Sequence, residues 1–299
     1  MTSRRDFLKS SGAVALSTAM PALALAHDKL EIHSRPIPGT DETLPMVGLG
    51  NARIFQEGNL EASRELIELF MSYGGSYVDT LGPSRFTVAS IMQAHDLQSK
   101  LFVGTYLGTV QYEAMAEELE RVRDAQGKEI LDLVLTYDFS EILAEPERYL
   151  RLKEEGLTRH LGVARHKLEF HEPMMQLMET GVVDFVQVNY SLLEPEAGDT
   201  VLPMAQEKGV AILVNRAFVN GDYFKLVRER ELPDWAADFD CESWAQFALK
   251  FILSHPAVTC VLTETSNPEH VVDNMAAGMG RLPDEATRQK MLELVQGFV

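Results

Sequence analysis

The sequence is short of positive charge. Lysine and arginine together number 27 against 45 aspartates and glutamates, which gives the 299-residue chain a formal net charge of −18. Because a phosphate backbone is bound through a basic footprint, this balance argues against nucleic acid and anionic membrane surfaces as partners. With 45% hydrophobic and 24% charged residues, the chain is nevertheless predicted to fold around a substantial core.

Cysteine is also scarce. Cys241 and Cys260 are too few for a disulfide scaffold or a cysteine-rich zinc site. Their predicted positions, in a loop and on a strand, favour buried free thiols, with a disulfide between them as the alternative. The histidines show no metal-ligand spacing, so we expect no metal site.

Long hydrophobic runs are missing as well. The apolar stretch Gly12–Leu25 is too short to span a bilayer comfortably, and it follows the paired arginines Arg4 and Arg5. Small residues then lead to a cleavage site near Ala26. The pattern predicts a signal recognised by the twin-arginine export machinery, which carries folded proteins to the periplasm. Residues 27–299 would then be the mature domain, without stable membrane insertion; an uncleaved anchor is the alternative.

Short apolar, β-branched runs alternate with amphipathic helical stretches. The runs are Leu44–Gly48, Ser76–Thr80, Leu101–Thr105, Leu131–Thr136, His160–Val163, Phe185–Val188, Ala211–Val214 and Thr259–Leu262. This alternation predicts parallel βαβ units, and eight of them indicate a (β/α)8 TIM barrel of the α/β class. No Gly-x-Gly-x-x-Gly follows the first run, which disfavours a doubly wound sheet. We expect a hairpin over Leu30–Pro45 before the barrel and an extra C-terminal helix over Pro283–Phe298.

The functional face of such a barrel lies at the carboxyl ends of its strands. The polar and aromatic residues that follow the predicted strands are Asn51, Asp79, Tyr106, Tyr137, Arg165, His166, Gln187, Asn189, Asn215, Arg216 and Thr263–Ser266. We expect them to surround a small-molecule ligand in the barrel mouth.

Several motifs on these strand ends occur in a familiar order. They are Gly48-Leu49-Gly50, Val78-Asp79-Thr80, Leu161-Gly162-Val163, Gln187-Val188-Asn189-Tyr190-Ser191 and Thr265-Ser266-Asn267-Pro268-Glu269-His270. Their order, over about residues 36–297, resembles the aldo-keto reductase superfamily, and with the export signal it resembles an exported group of that superfamily. The resemblance implies an oxidoreductase that performs NADP(H)-dependent carbonyl reduction with a tetrad of Asp, Tyr, Lys and His.

Three of the four tetrad positions depart from the family pattern. Asp79 matches, but Ser84, Tyr106 and Tyr137 stand where Tyr, Lys and His are expected. A serine hydroxyl is too weak an acid to replace the phenol, so the resemblance implies altered or vestigial chemistry. Tyr106 or Tyr137 could act as a surrogate acid if Arg85 or Arg165 lies near, or both rings could merely fill the space. The alternative function is a non-catalytic periplasmic barrel, a pseudoenzyme that binds a small molecule or a partner.

The resemblance also assigns cofactor contacts. Gln187 would bind the nicotinamide carboxamide, and a carboxylate at Glu264 would repel the 2′-phosphate and weaken binding of NADP. The remaining residues at family cofactor positions are Asn215, Arg216, Thr265, Ser266, Asn267, Asp273 and Asn274. NADP or NAD is therefore the implied cofactor, with an expected loss of affinity.

Overall fold

The strands form where the sequence has nearly continuous apolar runs, because strands of a closed parallel barrel are buried on both faces. The computed structural model describes residues 31–108 and 112–298. The predicted export signal over residues 1–26 lies outside the described residues. The barrel strands are β3 (Val47–Leu49), β4 (Tyr77–Thr80), β5 (Phe102–Leu107), β6 (Leu131–Thr136), β7 (Thr158–Ala164), β8 (Phe185–Asn189), β9 (Ala211–Asn215) and β10 (Val258–Thr263).

These eight parallel strands follow one another around the barrel in chain order, and β10 closes the ring against β3. Alternate side chains of each strand point into the barrel and form one apolar cluster with Tyr77, Phe102, Leu133 and Phe185 among its members. The opposite side chains pack outward against the helices in a second, larger cluster. The predicted (β/α)8 barrel is confirmed.

Helices cover the outside of the barrel. They are α1 (Arg53–Gln56), α2 (Leu60–Ser72), α3 (Ser84–Ala94), α4 (Tyr112–Gln126), α5 (Phe139–Ala144), α6 (Pro146–Glu154), α7 (His171–Thr180), α8 (Val201–Lys208), α9 (Asp222–Val227), α10 (Trp244–Leu253), α11 (Pro268–Ala277) and α12 (Glu285–Gln296). The predicted C-terminal helix corresponds to α12. No helix of the described part of the chain is both long and apolar enough to cross a membrane.

An antiparallel hairpin precedes the barrel, as predicted, and consists of β1 (Ser34–Pro36) and β2 (Thr43–Pro45). The guanidinium of Arg35 fixes it by donating to the carbonyl oxygens of Leu253 at 2.7 Å and His255 at 2.6 Å. The predicted first barrel strand was wrong at its start, because Leu44 pairs with Arg35 in the hairpin. Pro45 has no N–H for a barrel ladder, and the barrel begins only at β3.

Helix α8 and the two cysteines are the remaining features of the fold. The amphipathic stretch over residues 196–208 divides into a 3₁₀ turn at Glu196–Asp199 and helix α8, with a break at Thr200. Pro203 explains the break, since its ring would clash with the carbonyl of residue 199 if the helix continued. Cys241 and Cys260 are both buried and free, which confirms the prediction of buried thiols.

Candidate active site

A cavity of about 570 Å³ opens at the carboxyl ends of the barrel strands. Asp79, Tyr106 and Gln187 reach it from the barrel interior, and Arg165 and Glu264 reach it from the loops that follow β7 and β10. The other side chains at its wall are Asn51, Leu81, Tyr137, Ala164, His166, Asn215, Arg216, Ala217, Phe218, Asn220, Gly221, Phe224 and Leu262. Most of the strand-end residues predicted from the sequence therefore meet in one mouth. The exceptions are Asn189, Thr263, Thr265 and Ser266, which do not line the cavity.

Asp79 lies at the bottom of this cavity with 5% of its surface exposed. Its Oδ1 accepts a hydrogen bond from the Tyr77 hydroxyl at 3.0 Å, and its Oδ2 accepts one from Gln187 Nε2 at 3.4 Å. No ion pair to Asp79 occurs among the described residues. Burial raises the pKa of the Asp79 carboxyl from 3.8 to about 7, although hydrogen bonds from Tyr77, Gln187 and Tyr106 lower it. The Asp79 carboxyl is thus surrounded by neutral donors.

Gly104 on β5 makes room for this arrangement. A Cβ atom at Gly104 would lie 2.2 Å from the Tyr77 hydroxyl oxygen and 2.7 Å from Asp79 Oδ1. Both distances are shorter than van der Waals contact, so a larger residue at this position would displace the Tyr77–Asp79 pair.

Tyr106 and Tyr137 stack on each other beside Asp79, with ring centroids 5.1 Å apart and planes at 29°. Tyr106 is buried, and burial together with the charge of Asp79 raises its pKa well above 10. Tyr137 is half-buried, and burial raises its pKa to about 12. Both phenols are therefore weaker acids than an exposed tyrosine.

Of the two arginines proposed as neighbours of the phenols, one approaches them. The Arg165 guanidinium lies 5.3 Å from the centroid of the Tyr137 ring and lowers its pKa, but by less than burial raises it. Arg85 instead pairs with Glu118 at 2.8 Å, and its Nη1 donates to the backbone oxygen of Tyr106 at 3.4 Å. Of these two arginines, Arg165 is thus the one whose guanidinium lies over a phenol ring at the mouth.

Ser84 does not line the cavity. It is fully buried at the start of α3, where its hydroxyl donates to the Leu81 carbonyl at 3.0 Å and accepts from the Leu81 N–H at 2.9 Å. The side chain closes a local turn between β4 and α3. The structure therefore brings Asp79, Tyr106 and Tyr137 together and leaves Ser84 apart.

Three residues expected to bind a cofactor, Gln187, Asn215 and Arg216, do line the cavity. Asn215 Nδ2 donates to the backbone oxygen of Arg165 at 3.3 Å, while its Oδ1 is buried with no hydrogen-bond partner in the structure. Arg216 adopts a left-handed backbone conformation with φ of 56° and pairs with Glu194 at 3.2 Å.

The other expected cofactor residues lie outside the cavity wall, and the side chains of Thr265, Ser266, Asn267 and Asp273 bond within the protein. These are Thr265, Ser266, Asn267, Asp273 and Asn274. The Ser266 hydroxyl accepts from the backbone N–H of Ile54 at 3.2 Å, and Asn267 caps α11. Asp273 accepts from the Ser243 hydroxyl at 2.8 and 2.9 Å and from Gln246 Nε2 at 2.7 Å, which ties α11 to the start of α10. Each of these contacts has a role in the fold.

Glu264 brings a second carboxylate to the mouth. Its side chain crosses over Gly50, where a Cβ atom would lie 2.5 Å from Glu264 Cγ. Desolvation raises its pKa, and its charge also raises the pKa of Asp79. The mouth therefore has an acidic side formed by Asp79 and Glu264 and a basic side formed by Arg165 and Arg216.

Several residues of the site were not predicted from the sequence. Tyr77 lies two residues before Asp79 on one strand, and this spacing alone predicts that both face the barrel interior. Phe139 and Phe170, which contact the Arg165 guanidinium, follow β6 and β7, so their place beside Arg165 also had a positional signal. The need for glycine at position 104 had no such signal, because it depends on contacts between two strands.

Comparison with known proteins agrees with this architecture. The sequence model of the Aldo/keto reductase family matches residues 46–289, and that of the twin-arginine translocation pathway signal sequence matches residues 1–21. The NADH-specific methylglyoxal reductase of Escherichia coli strain K12 is 24% identical over an alignment 197 residues long. The match covers 55% of this chain. The match spans only 59% of that relative's length.

Solved structures show the same fold at low sequence identity. A holo aldo-keto reductase from Bacillus halodurans superposes with a TM-score of 0.72 at 17% identity, covering 89% of this chain and 96% of its own. An aldo/keto reductase from Klebsiella pneumoniae, solved in complex with NADP and acetate, superposes with a TM-score of 0.73 at 17% identity. The match covers 86% of this chain and 94% of that chain. The family model matches most of the chain, and the barrel and the order of the strand-end motifs agree with that match. This chain therefore belongs to the aldo/keto reductase family.

Proposed function

We propose that this protein is an exported aldo-keto reductase-like oxidoreductase in which the family reaction, NADP(H)-dependent carbonyl reduction, is altered or vestigial. The proposal rests on the side chains that contact Asp79. The Tyr77 phenol and the Gln187 amide donate to it, Tyr106 lowers its pKa, and no lysine or arginine pairs with it in the described part of the chain.

This arrangement limits proton transfer at the mouth. Reduction of a carbonyl leaves an alkoxide that needs a proton, and an acid serves best when its pKa lies near the working pH. Tyr137 is the half-buried hydroxyl at the cavity wall, and its pKa of about 12 keeps it protonated but weakly acidic. We expect it to donate a hydrogen bond to a substrate oxygen and to release its proton slowly.

The residues present fit one end of a nicotinamide cofactor, which when bound supplies the hydride. Gln187 lines the cavity, and the buried, unpartnered Oδ1 of Asn215 would gain a hydrogen bond from an amide donor there. The end that carries the phosphates and the adenine is supported less, because Ser266 and Asp273 already bond within the protein and Glu264 adds negative charge. NADP or NAD would accordingly bind with reduced affinity.

Export sets the place of action. The twin-arginine match supports transport of the folded protein to the periplasm. We place the cleavage near Ala26, which would leave residues 27–299 as a single barrel domain.

Turnover of the purified protein tests the chemistry. NADPH and NADH oxidation at 340 nm with methylglyoxal should be slow, and Tyr137→Phe should reduce it by about tenfold or more, since it removes the hydroxyl at the wall. Tyr106→Phe should act mainly through Asp79 and shift the pH profile. Turnover that is unchanged in both variants would exclude the phenols as proton donors.

The alternative is a non-catalytic binding barrel. It is favoured by the internal hydrogen bonds of residues expected at the cofactor phosphates and at the adenine. Binding of a small molecule in the mouth without binding of NADPH or NADH would support the non-catalytic barrel and contradict the oxidoreductase.

A further inference from the structure

The clearest unexplained group in the mouth is the guanidinium of Arg165. Its central carbon lies 4.6 Å from the ring centroid of Phe170, 5.3 Å from that of Tyr137 and 5.7 Å from that of Phe139. We call Tyr137, Phe139 and Phe170 the aromatic cage. Such contacts fix the plane of a guanidinium while leaving its edge available for hydrogen bonds.

Arg165 has no anionic partner within residues 31–108 and 112–298, and its buried Nε has no hydrogen-bond partner there. Its neighbours differ in this respect, because Arg216 pairs with Glu194 and Arg85 pairs with Glu118. A partly buried cation without a counter-charge is costly even though the chain as a whole is strongly acidic. An anion entering the cavity would supply the missing partner.

Three cations lie near His166 on this side of the mouth. Burial lowers the pKa of His166, and the charges of Arg216, Lys167 and Arg165 lower it further, while the charge of Glu194 raises it. Arg165 and Arg216 both line the cavity, whereas the carboxyls of Asp79 and Glu264 line it on the acidic side. A ligand with one anionic end and one neutral polar end matches this separation of charge.

We propose that Arg165, held by the aromatic cage, binds the carboxylate of a small organic acid, with a carbonyl or hydroxyl of the same molecule directed toward Tyr137 and Asp79. The planar guanidinium matches a carboxylate in a bidentate hydrogen bond. This inference rests on the proposed function, since it names the class of substrate for the same mouth.

The anion in question is assigned to the substrate and not to a nucleotide phosphate. The Arg165 backbone N–H donates to the Gln187 carbonyl at 3.0 Å, and its guanidinium contacts the Tyr137 ring. Arg165 therefore lies beside the residues expected at the reacting end. The helix start expected at the phosphates, Thr265–Asn267, follows a different strand.

Titration of the purified protein with pyruvate and hydroxyacetone tests this assignment without any nucleotide. The two molecules are similar in size and both carry a ketone, but only pyruvate has a carboxylate. Calorimetry and ligand-observed NMR should show saturable binding of pyruvate and binding of hydroxyacetone that is about tenfold weaker or more. Equal binding of the two, or no binding of pyruvate, would overturn the inference.

Variants locate the effect. Arg165→Met keeps an apolar side chain in the aromatic cage and removes the charge, and it should weaken pyruvate by about tenfold or more with little effect on hydroxyacetone. The matched control Lys167→Met removes an equal charge two residues away and should leave pyruvate affinity within about twofold. Arg165→Lys, which keeps the charge, is the second variant if Arg165→Met does not fold.

A folded Arg165→Met protein that binds pyruvate as well as the unmodified protein would refute the assignment. Loss of NADPH affinity in Arg165→Met with pyruvate binding unchanged would also refute the assignment, because the anion bound by Arg165 would then be the nucleotide phosphate. Failure of both nucleotides to bind, with pyruvate binding intact, would instead refute the proposed oxidoreductase and leave the carboxylate site standing.

Discussion

Neutralising Asp79 should stabilise the protein in a way that depends on pH. Asp79→Asn keeps the size of the side chain and an oxygen that accepts from Tyr77, while the amide of Gln187 can rotate to present its own oxygen. The variant removes only the charge that Asp79 acquires on losing its proton.

The magnitude follows from the pKa of Asp79. A rise from 3.8 to about 7 corresponds to about 4 kcal/mol. The folded protein favours the neutral carboxyl. The contribution of Asp79 to the free energy of unfolding is therefore complete below about pH 4 and is lost as pH rises toward and through 7. Asp79→Asn should leave the free energy of unfolding nearly unchanged at pH 4 and raise it by up to about 4 kcal/mol at pH 8.

Urea unfolding followed by circular dichroism at pH 4, 6 and 8 measures this difference. Glu117→Gln is the matched control, because it neutralises an exposed carboxyl on α4 and should change stability by less than about 0.5 kcal/mol at every pH. Equal effects of Asp79→Asn at pH 4 and pH 8, or destabilisation that grows with pH, would refute a raised pKa at Asp79.

Other parts of the barrel give further predictions. Gly104→Ala should lower the free energy of unfolding by about 1–3 kcal/mol in urea, because its Cβ would overlap the contacts of Asp79. Asp132→Ala should lower it by about 3–5 kcal/mol, since it leaves Lys128 as a buried, unpaired cation. Burial lowers the pKa of His255 to about 4, so its neutral form supports the fold above pH 6.5 and this support is lost as pH falls through 4. Between pH 7 and pH 4, the free energy of unfolding should therefore fall by about 3 kcal/mol less in His255→Asn than in the unmodified protein, as measured by the same unfolding assay.

The fold was predictable because its signals are local. Eight apolar runs and their order determine a parallel barrel, and the strand-end positions alone predict that Asp79, Tyr106, Tyr137 and Gln187 are neighbours. The error at Leu44 arose because a hairpin strand and a barrel strand follow each other with one residue between them.

The site could be predicted only in part, since spacing does not reveal side-chain direction. Ser84 occupies the expected place in the sequence but turns to the Leu81 backbone, and Asp273 bonds to α10. Arg165 was one of two candidate cations, and its choice over Arg85 depends on Glu118, a distant helical residue that takes Arg85 as its partner. Such competition between partners is a property of the folded barrel.

Titration of the purified protein with NADPH and NADH tests the central claim most directly. Quenching of protein fluorescence should saturate with a Kd below about 1 mM for at least one nucleotide, while hydride transfer to methylglyoxal remains slow. Saturable binding would support an oxidoreductase with a weakened proton donor. No saturable binding of either nucleotide at millimolar concentration, and no nucleotide released from the protein as isolated, would contradict the proposed function.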